Sequence, residues 1–557
     1  MGRGKEFGKP GGMVGKKREE VGIPVGEGNA FRESTAIAAV SSADFSFRQA
    51  LSPIAKKACE IVSKIRHEDT KLPTTIAAKE TNRSWQILRR MPKGTLLRAH
   101  CYALVDLDHL FTVALDTPGM CIACHDGRLA TQDARREGGF CIQFRDKAGS
   151  EHCSVWATEY EPGTFISLSK AANDYPEGGR PGFMGWLKGR CRTLMQDCHL
   201  GRGRLGPIAS LGDICGMIYY EPIWRAFLQR LMTNLVKDGV CWLELGLTFP
   251  VAYYRERTEV ADPEYDHMFQ AIEEEVAKFQ ATDIGRQFWG LRVVWSTMRS
   301  QDARSIVDDA DNCISTKLLW PQTVAGYDLA GSEDVGRPLV DLLPELFWFR
   351  KQCALEDVQI PFYLAVGGSL SDGDGNLATE RKLFDALLLG ARRIGNPLSL
   401  YRHPRLVEAV RDKRVLVEIC PRRPAADTVM HNHALWALLA QGVPCALCDD
   451  DSGTLFGQGQ DGELAMTNIF WQAFLAGDVC DLATLGFLAE NSVRWAAFED
   501  QDAETWYVKE KQTHPSPSSV GAGIRAARLR QWAVDWERFC LWVVTEYSND
   551  DDDAATD

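Results

Sequence analysis

Eight short apolar runs separated by helix-sized segments constrain this chain more than any other feature. They are Thr95–His100, Val240–Leu245, Leu291–Ser296, Thr323–Asp328, Pro361–Val366, Arg393–Gly395, Arg414–Ile419 and Val443–Leu447. Strands buried on both faces read as continuous hydrophobic runs, and helices between them favour parallel pairing. Eight such units predict an α/β fold whose strands close into a (β/α)8 TIM-like barrel. An open doubly wound sheet is the competing arrangement, but no Gly-x-Gly-x-x-Gly follows the first run.

The stretch from His100 to Val240 is too long for one helix, so residues 111–200, with Cys121, Cys124, Cys141 and Cys153, are expected to form an insertion. Ahead of the barrel (93–495), residues 30–92 are expected to form a helical extension: Phe45–Leu51 and Ala55–Ile65 space apolar residues three or four apart. Met91-Pro92-Lys93-Gly94 then signals a turn. Behind it, segment 496–547 carries an amphipathic helix at Ile524–Thr545, with Trp532, Trp536 and Trp542. Segments 1–29 and 548–557 are expected to be disordered, the latter holding four consecutive aspartates, Asp550–Asp553.

Composition narrows the function classes. Against 63 Lys+Arg stand 76 Asp+Glu, a net charge of -13, which argues against a nucleic-acid or membrane-surface binder. No apolar run approaches the roughly 20 residues of a membrane span. Met1–Gly28 has no apolar signal-peptide core, and 17 cysteines, an odd number, fit reduced thiols; a cytoplasmic protein is expected. The expected partner is a small-molecule substrate.

Barrel strands aim their C-terminal ends at one mouth, where chemistry is done. Those ends offer Arg98, His100, Glu244, Arg299, Asp328, Ser369, Asn396, Glu418 and Asp449-Asp450-Asp451. Several segments here resemble the adenosine deaminases, most of all their growth-factor-type branch. Met91–His100 looks like the family's first-strand motif, and Gly326–Asp334 like its strand-four segment. Arg393-Ile394-Gly395-Asn396-Pro397 is similar to Arg-Ile-Gly-His-Gly, and Glu418-Ile419-Cys420-Pro421 to Glu-Val-Cys-Pro. Pro361–Leu370 stands where the family has His-Ala-Gly-Glu, and Gly442–Asp451 where it ends in Ser-Asp-Asp. The resemblance spans about 90–490 and implies a deaminase-type barrel, with dimerisation through N-terminal helices.

The departures bear on the chemistry. The family holds zinc with a His-x-His on strand one, a strand-five histidine and a strand-eight aspartate. The matching positions here are Arg98, His100, Ala365 and Asp450. Two ligands remain and one lost position carries a cation, which opposes a bound dication, so no family-type zinc site is expected. No histidine lies between His267 and His403 to replace the missing one. The family's proton-shuttling glutamate falls on Gly368, and the histidine that orients its hydroxide falls on Asn396, which cannot serve as a base.

What remains suits metal-independent, cofactor-free acid/base chemistry on a small organic molecule, such as isomerisation, dehydration, cyclisation or elimination. His100, Asp450 and Asp451 are the candidate acid/base groups. Arg98 is the candidate anion binder, with Asn396, Glu244, Asp328 and Ser369 as further binding residues. Two other readings stand beside this one: a zinc-dependent adenosine deaminase with atypical ligands, and a non-catalytic partner protein in which Arg98 fills the metal site. Cys121-x-x-Cys124-His125 is too irregular for a zinc knot and reads as structural thiols. Asp308-Asp309-x-Asp311 reads as a helix-start cluster, and His431-x-His433 as structural.

Overall fold

The computed structural model describes residues 43–69, 82–124, 127, 129–147, 153–199, 216–331, 336–366, 377–421, 434–449, 464–475, 480–501 and 523–548. Its strands, in chain order, are β1 (Gly94–His100), β2 (Met120–Ala123), β3 (Cys141–Phe144), β4 (Ile166–Ser167), β5 (Val240–Phe249) and β6 (Gly290–Met298). There follow β7 (Val324–Ala330), β8 (Tyr363–Ala365), β9 (Arg393–Gly395), β10 (Leu416–Ile419) and β11 (Cys445–Leu447). Each of the eight apolar runs forms a strand.

Two parallel sheets, β1-β5-β6-β7 and β8-β9-β10-β11, meet where Tyr327 bridges Phe362 and donates its N–H to Pro361 O at 2.9 Å. The result is eight parallel strands in sequence order, alternating with helices: a (β/α)8 barrel. The helix Leu482–Trp495 spans the seam between the last strand and the first. Asn491 Nδ2 donates to Cys445 O on β11, and Ser492 Oγ accepts from Thr95 N on β1. Gly94, at φ 77°, must be glycine, because a Cβ would lie 2.7 Å from Ser492 Oγ and 2.8 Å from Ala489 O.

Alternation along the strands divides inside from outside. Outside, Phe249 stacks on Trp295 at 3.5 Å and Tyr327 Oη donates to Thr297 Oγ1. The aspartate cluster differs from expectation. Asp302 caps the helix Ala303–Leu319, while Asp309 lies inside it, buried and accepting from Trp295 and Thr297. Its role is to tie that helix to β6, not to start it.

Helices Phe45–Ala50 and Pro53–Asp69 precede the barrel and pack against the terminal helix Ile524–Tyr547. Arg48 holds Asp481 through two 2.7 Å bonds, and Phe47 meets Trp536 edge-on, itself stacked on Trp532. These tryptophans pack helices together. Between β1 and β5 lies a small antiparallel sheet, β3-β2-β4, backed by helices Leu168–Asn173 and Gly179–His199. Burial pushes the Cys121 and Cys124 thiols up to about 11 and about 12.

Candidate active site

The barrel interior is built around two arginines. Arg98, the fifth residue of β1, is 6% exposed, yet its guanidinium donates to Asp328 Oδ2 at 2.7 Å, Tyr363 O at 3.2 Å and Glu418 Oε2 at 3.4 Å. Arg393 of β9 donates to Glu244 Oε2 at 2.6 Å and Leu97 O at 3.3 Å. Its Nε lies 2.8 Å from Glu418 Oε1 as an ion pair, out of hydrogen-bonding alignment. The Arg393 guanidinium also lies 3.5 Å from the centroid of the Tyr363 ring. Burial raises the Glu418 carboxyl above the usual carboxylate range against the pull of Arg393 and Arg98.

Glycines make room for these side chains. A Cβ at Gly395 would meet Arg98 Nε at 3.0 Å, and one at Gly326 would meet the Tyr363 ring at 2.3 Å. Large and small residues thus alternate round the ring, as a narrow barrel requires.

The candidate residues separate by depth. Glu244 was expected at a strand end, but β5 runs on to Phe249, so Glu244 lies mid-strand, fully buried. There it accepts from Ala497 N, just beyond the last barrel helix, so it belongs to the floor. Arg98, the candidate anion binder, lines the cleft with its fork engaged by Asp328 and Glu418. Asn396 takes φ 52° in the turn after β9, accepts from Cys420 N at 2.7 Å and so ties two strand ends together. His100 ends β1 at the mouth, 7% exposed, stacked on Tyr102 at 5.4 Å with an interplanar angle of 6°. A Cβ at Gly246 would stand 3.0 Å from its Nδ1, so the glycine leaves room for the imidazole. Arg299 and Asp449 follow β6 and β11, both buried. Ser369, Asp450, Asp451, His125, His431 and His433 lie outside the described residues.

A cleft inside the barrel is lined by Arg98, His100, Glu244, Asp328, Tyr363 and Arg393 among others. It brings His100, Arg98 and Asp328 together. Tyr102, Tyr363 and Arg393 were not singled out from the sequence. For Arg393 a signal existed: an arginine within an apolar strand must find carboxylates.

The family's zinc can be tested against this geometry. At its first ligand position stands Arg98, a fixed cation bonded to two carboxylates; at its third stands Ala365, which has no donor atom. Among the described residues no three His, Cys, Asp or Glu side chains converge on a point where a metal could sit. The residues present do not fit a zinc ion held in the family's manner.

No protein-family model matches the chain. Adenosine deaminase 2 of Sus scrofa is 28% identical over 451 residues, covering 77% of this chain and 80% of that protein. Adenosine deaminase 2 of Homo sapiens is 25% identical over 487 residues, covering 84% and 82%. Among solved structures, the adenine deaminase of Arthrobacter aurescens superposes with a TM-score of 0.47 at 14% identity, over 80% of this chain and 99% of that one. Over most of its length, and most of theirs, the chain is thus similar to proteins named adenosine deaminase 2.

Proposed function

We propose that this protein is a metal-independent enzyme that performs acid/base chemistry on a small organic molecule in the mouth of the barrel. The observation that carries the reading is the Arg98 guanidinium, fixed between Asp328 and Glu418 at the position of a family zinc ligand. His100 is the described group suited to move a proton. Its ring stacks on Tyr102 at the mouth, and an imidazole can both accept and donate a proton. Asp450 and Asp451, from the segment after β11, are proposed as its acid/base partners. Isomerisation, dehydration, cyclisation and elimination all need only such proton transfers.

A second reading is favoured by the homologues, which are named adenosine deaminases: hydrolytic deamination through an altered ligand set. Elemental analysis of the purified protein, paired with an adenosine-to-inosine assay, separates the two. The proposal expects zinc far below one ion per chain and no inosine. Stoichiometric zinc together with inosine formation would overturn it.

A further inference from the structure

Inside the barrel, three neighbouring strands each contribute one polar side chain at the same level. The register sets Thr248 of β5 beside Ser296 of β6, and Ser296 beside Asp328 of β7. All three face inward, because Phe249, Trp295, Thr297 and Tyr327 pair with one another outside. Ser296 is 0% exposed and Asp328 2%, while Thr248 is half-buried. Thr248 Oγ1, Ser296 Oγ and Asp328 Oδ1 are all buried atoms, and none has a hydrogen-bond partner among the described residues. The other Asp328 oxygen is engaged by Arg98. Of the three residues Asp328 lines the cleft, together with His100 and Tyr363.

An unpaired buried polar atom costs about 1–3 kcal/mol, and natural interiors hold few of them. What distinguishes this row is its place: three such atoms on adjacent strands, one of them on Asp328, which lines the cleft. We propose that the Thr248–Ser296–Asp328 row is an anchoring subsite for a ligand group that carries hydrogen-bond donors, a hydroxyl or an ammonium. Asp328 Oδ1 can only accept, whereas each hydroxyl both donates and accepts. A hydroxyl or ammonium on the ligand can donate to Asp328 Oδ1; a carboxylate has no donor and would face the Asp328 charge. The inference rests on the reading of the mouth as a small-molecule site, but not on His100 as its acid/base group.

The test is saturation-transfer NMR on the full chain with three probes of similar size, each carrying a methyl reporter: propane-1,2-diol, ethylammonium and acetate. Wild type should transfer saturation to the diol or to ethylammonium, whichever source of donors the row prefers, and not to acetate. In Thr248→Val/Ser296→Ala that binding should weaken about fivefold or more, the loss expected for one or more hydrogen bonds. The variant's unfolding midpoint should equal or exceed wild type, because two unpaired hydroxyls are gone. His100→Ala should bind the probes as wild type does, whatever its effect on turnover. The proposal is overturned if neither donor probe binds, if acetate binds best, or if the double variant binds undiminished. A variant midpoint several degrees below wild type would also overturn it, by showing that the hydroxyls hold the fold; the two single substitutions give the same reading should the double variant not fold.

Discussion

Replacing Arg98 by methionine tests whether the arginine holds the barrel interior together. The substitution keeps an unbranched side chain over Gly395 and removes the 2.7 Å bond to Asp328, the 3.4 Å contact with Glu418 and the bond to Tyr363 O. Arg393 still faces Glu418 at 2.8 Å and Glu244 at 2.6 Å, so the stranded charge is that of Asp328. Removing one partner of a buried pair costs about 3–5 kcal/mol. At an unfolding entropy of about 2.1 cal/mol/K per residue, over roughly 400 ordered residues, that lowers the midpoint by about 4–6 °C. Asp328→Asn in the Arg98→Met background should restore most of the loss. The reasoning fails if Arg98→Met melts within a degree of wild type at pH 8, or loses as much when Asp328 is already asparagine.

Two further outcomes follow from buried geometry. Burial raises the Asp309 carboxyl to about 6, so its folded state prefers the proton and loses stability as pH climbs from about 4 to about 6. Asp309→Asn, whose amide oxygen can still accept from Trp295 and Thr297, should melt above wild type at pH 8 by the equivalent of about 1–2 kcal/mol and match it at pH 4; equal midpoints at pH 8 would contradict this. Gly326→Ala puts a methyl 2.3 Å from the Tyr363 ring and 2.8 Å from Pro361 O. Overpacking of that kind costs about 1–3 kcal/mol, and chemical denaturation should show the loss partly relieved by Tyr363→Leu.

Much of the fold was legible because buried parallel strands leave a plain signature, and all eight runs became strands. Strand length was less legible. The run Val240–Leu245 ends where Gly246 interrupts it, but β5 continues to Phe249, since a glycine inside a barrel gives room to a neighbour, here His100. That misplaced end put Glu244 at the mouth and hid Thr248, which stands nearer to it. The site was legible as a set of residue types but not as a set of pairs. Nothing local to Arg98 tells whether its fork meets a ligand or the carboxylates of β7 and β10, hundreds of positions away in the chain. The same holds for Asn396. Its substitution for a histidine reads as lost chemistry, whereas in the fold its positive φ and its bond to Cys420 N make it a hinge of the β9 turn.

The arginine at position 98 is better understood through charge than through coordination. Glu244, Asp328 and Glu418 put three carboxylates inside a dry barrel, and such groups stay ionised only near cations. Arg393 faces Glu244 and Glu418 from β9, and Arg98 reaches from β1 to Asp328 and Glu418, linking strands that no backbone ladder joins. One guanidinium thus supplies charge and cross-strand bonding together, through the protein's own side chain. The unpartnered Asp328 oxygen lies beside Ser296, at the edge of the cleft, and that acceptor atom is what would favour a donor group on the ligand.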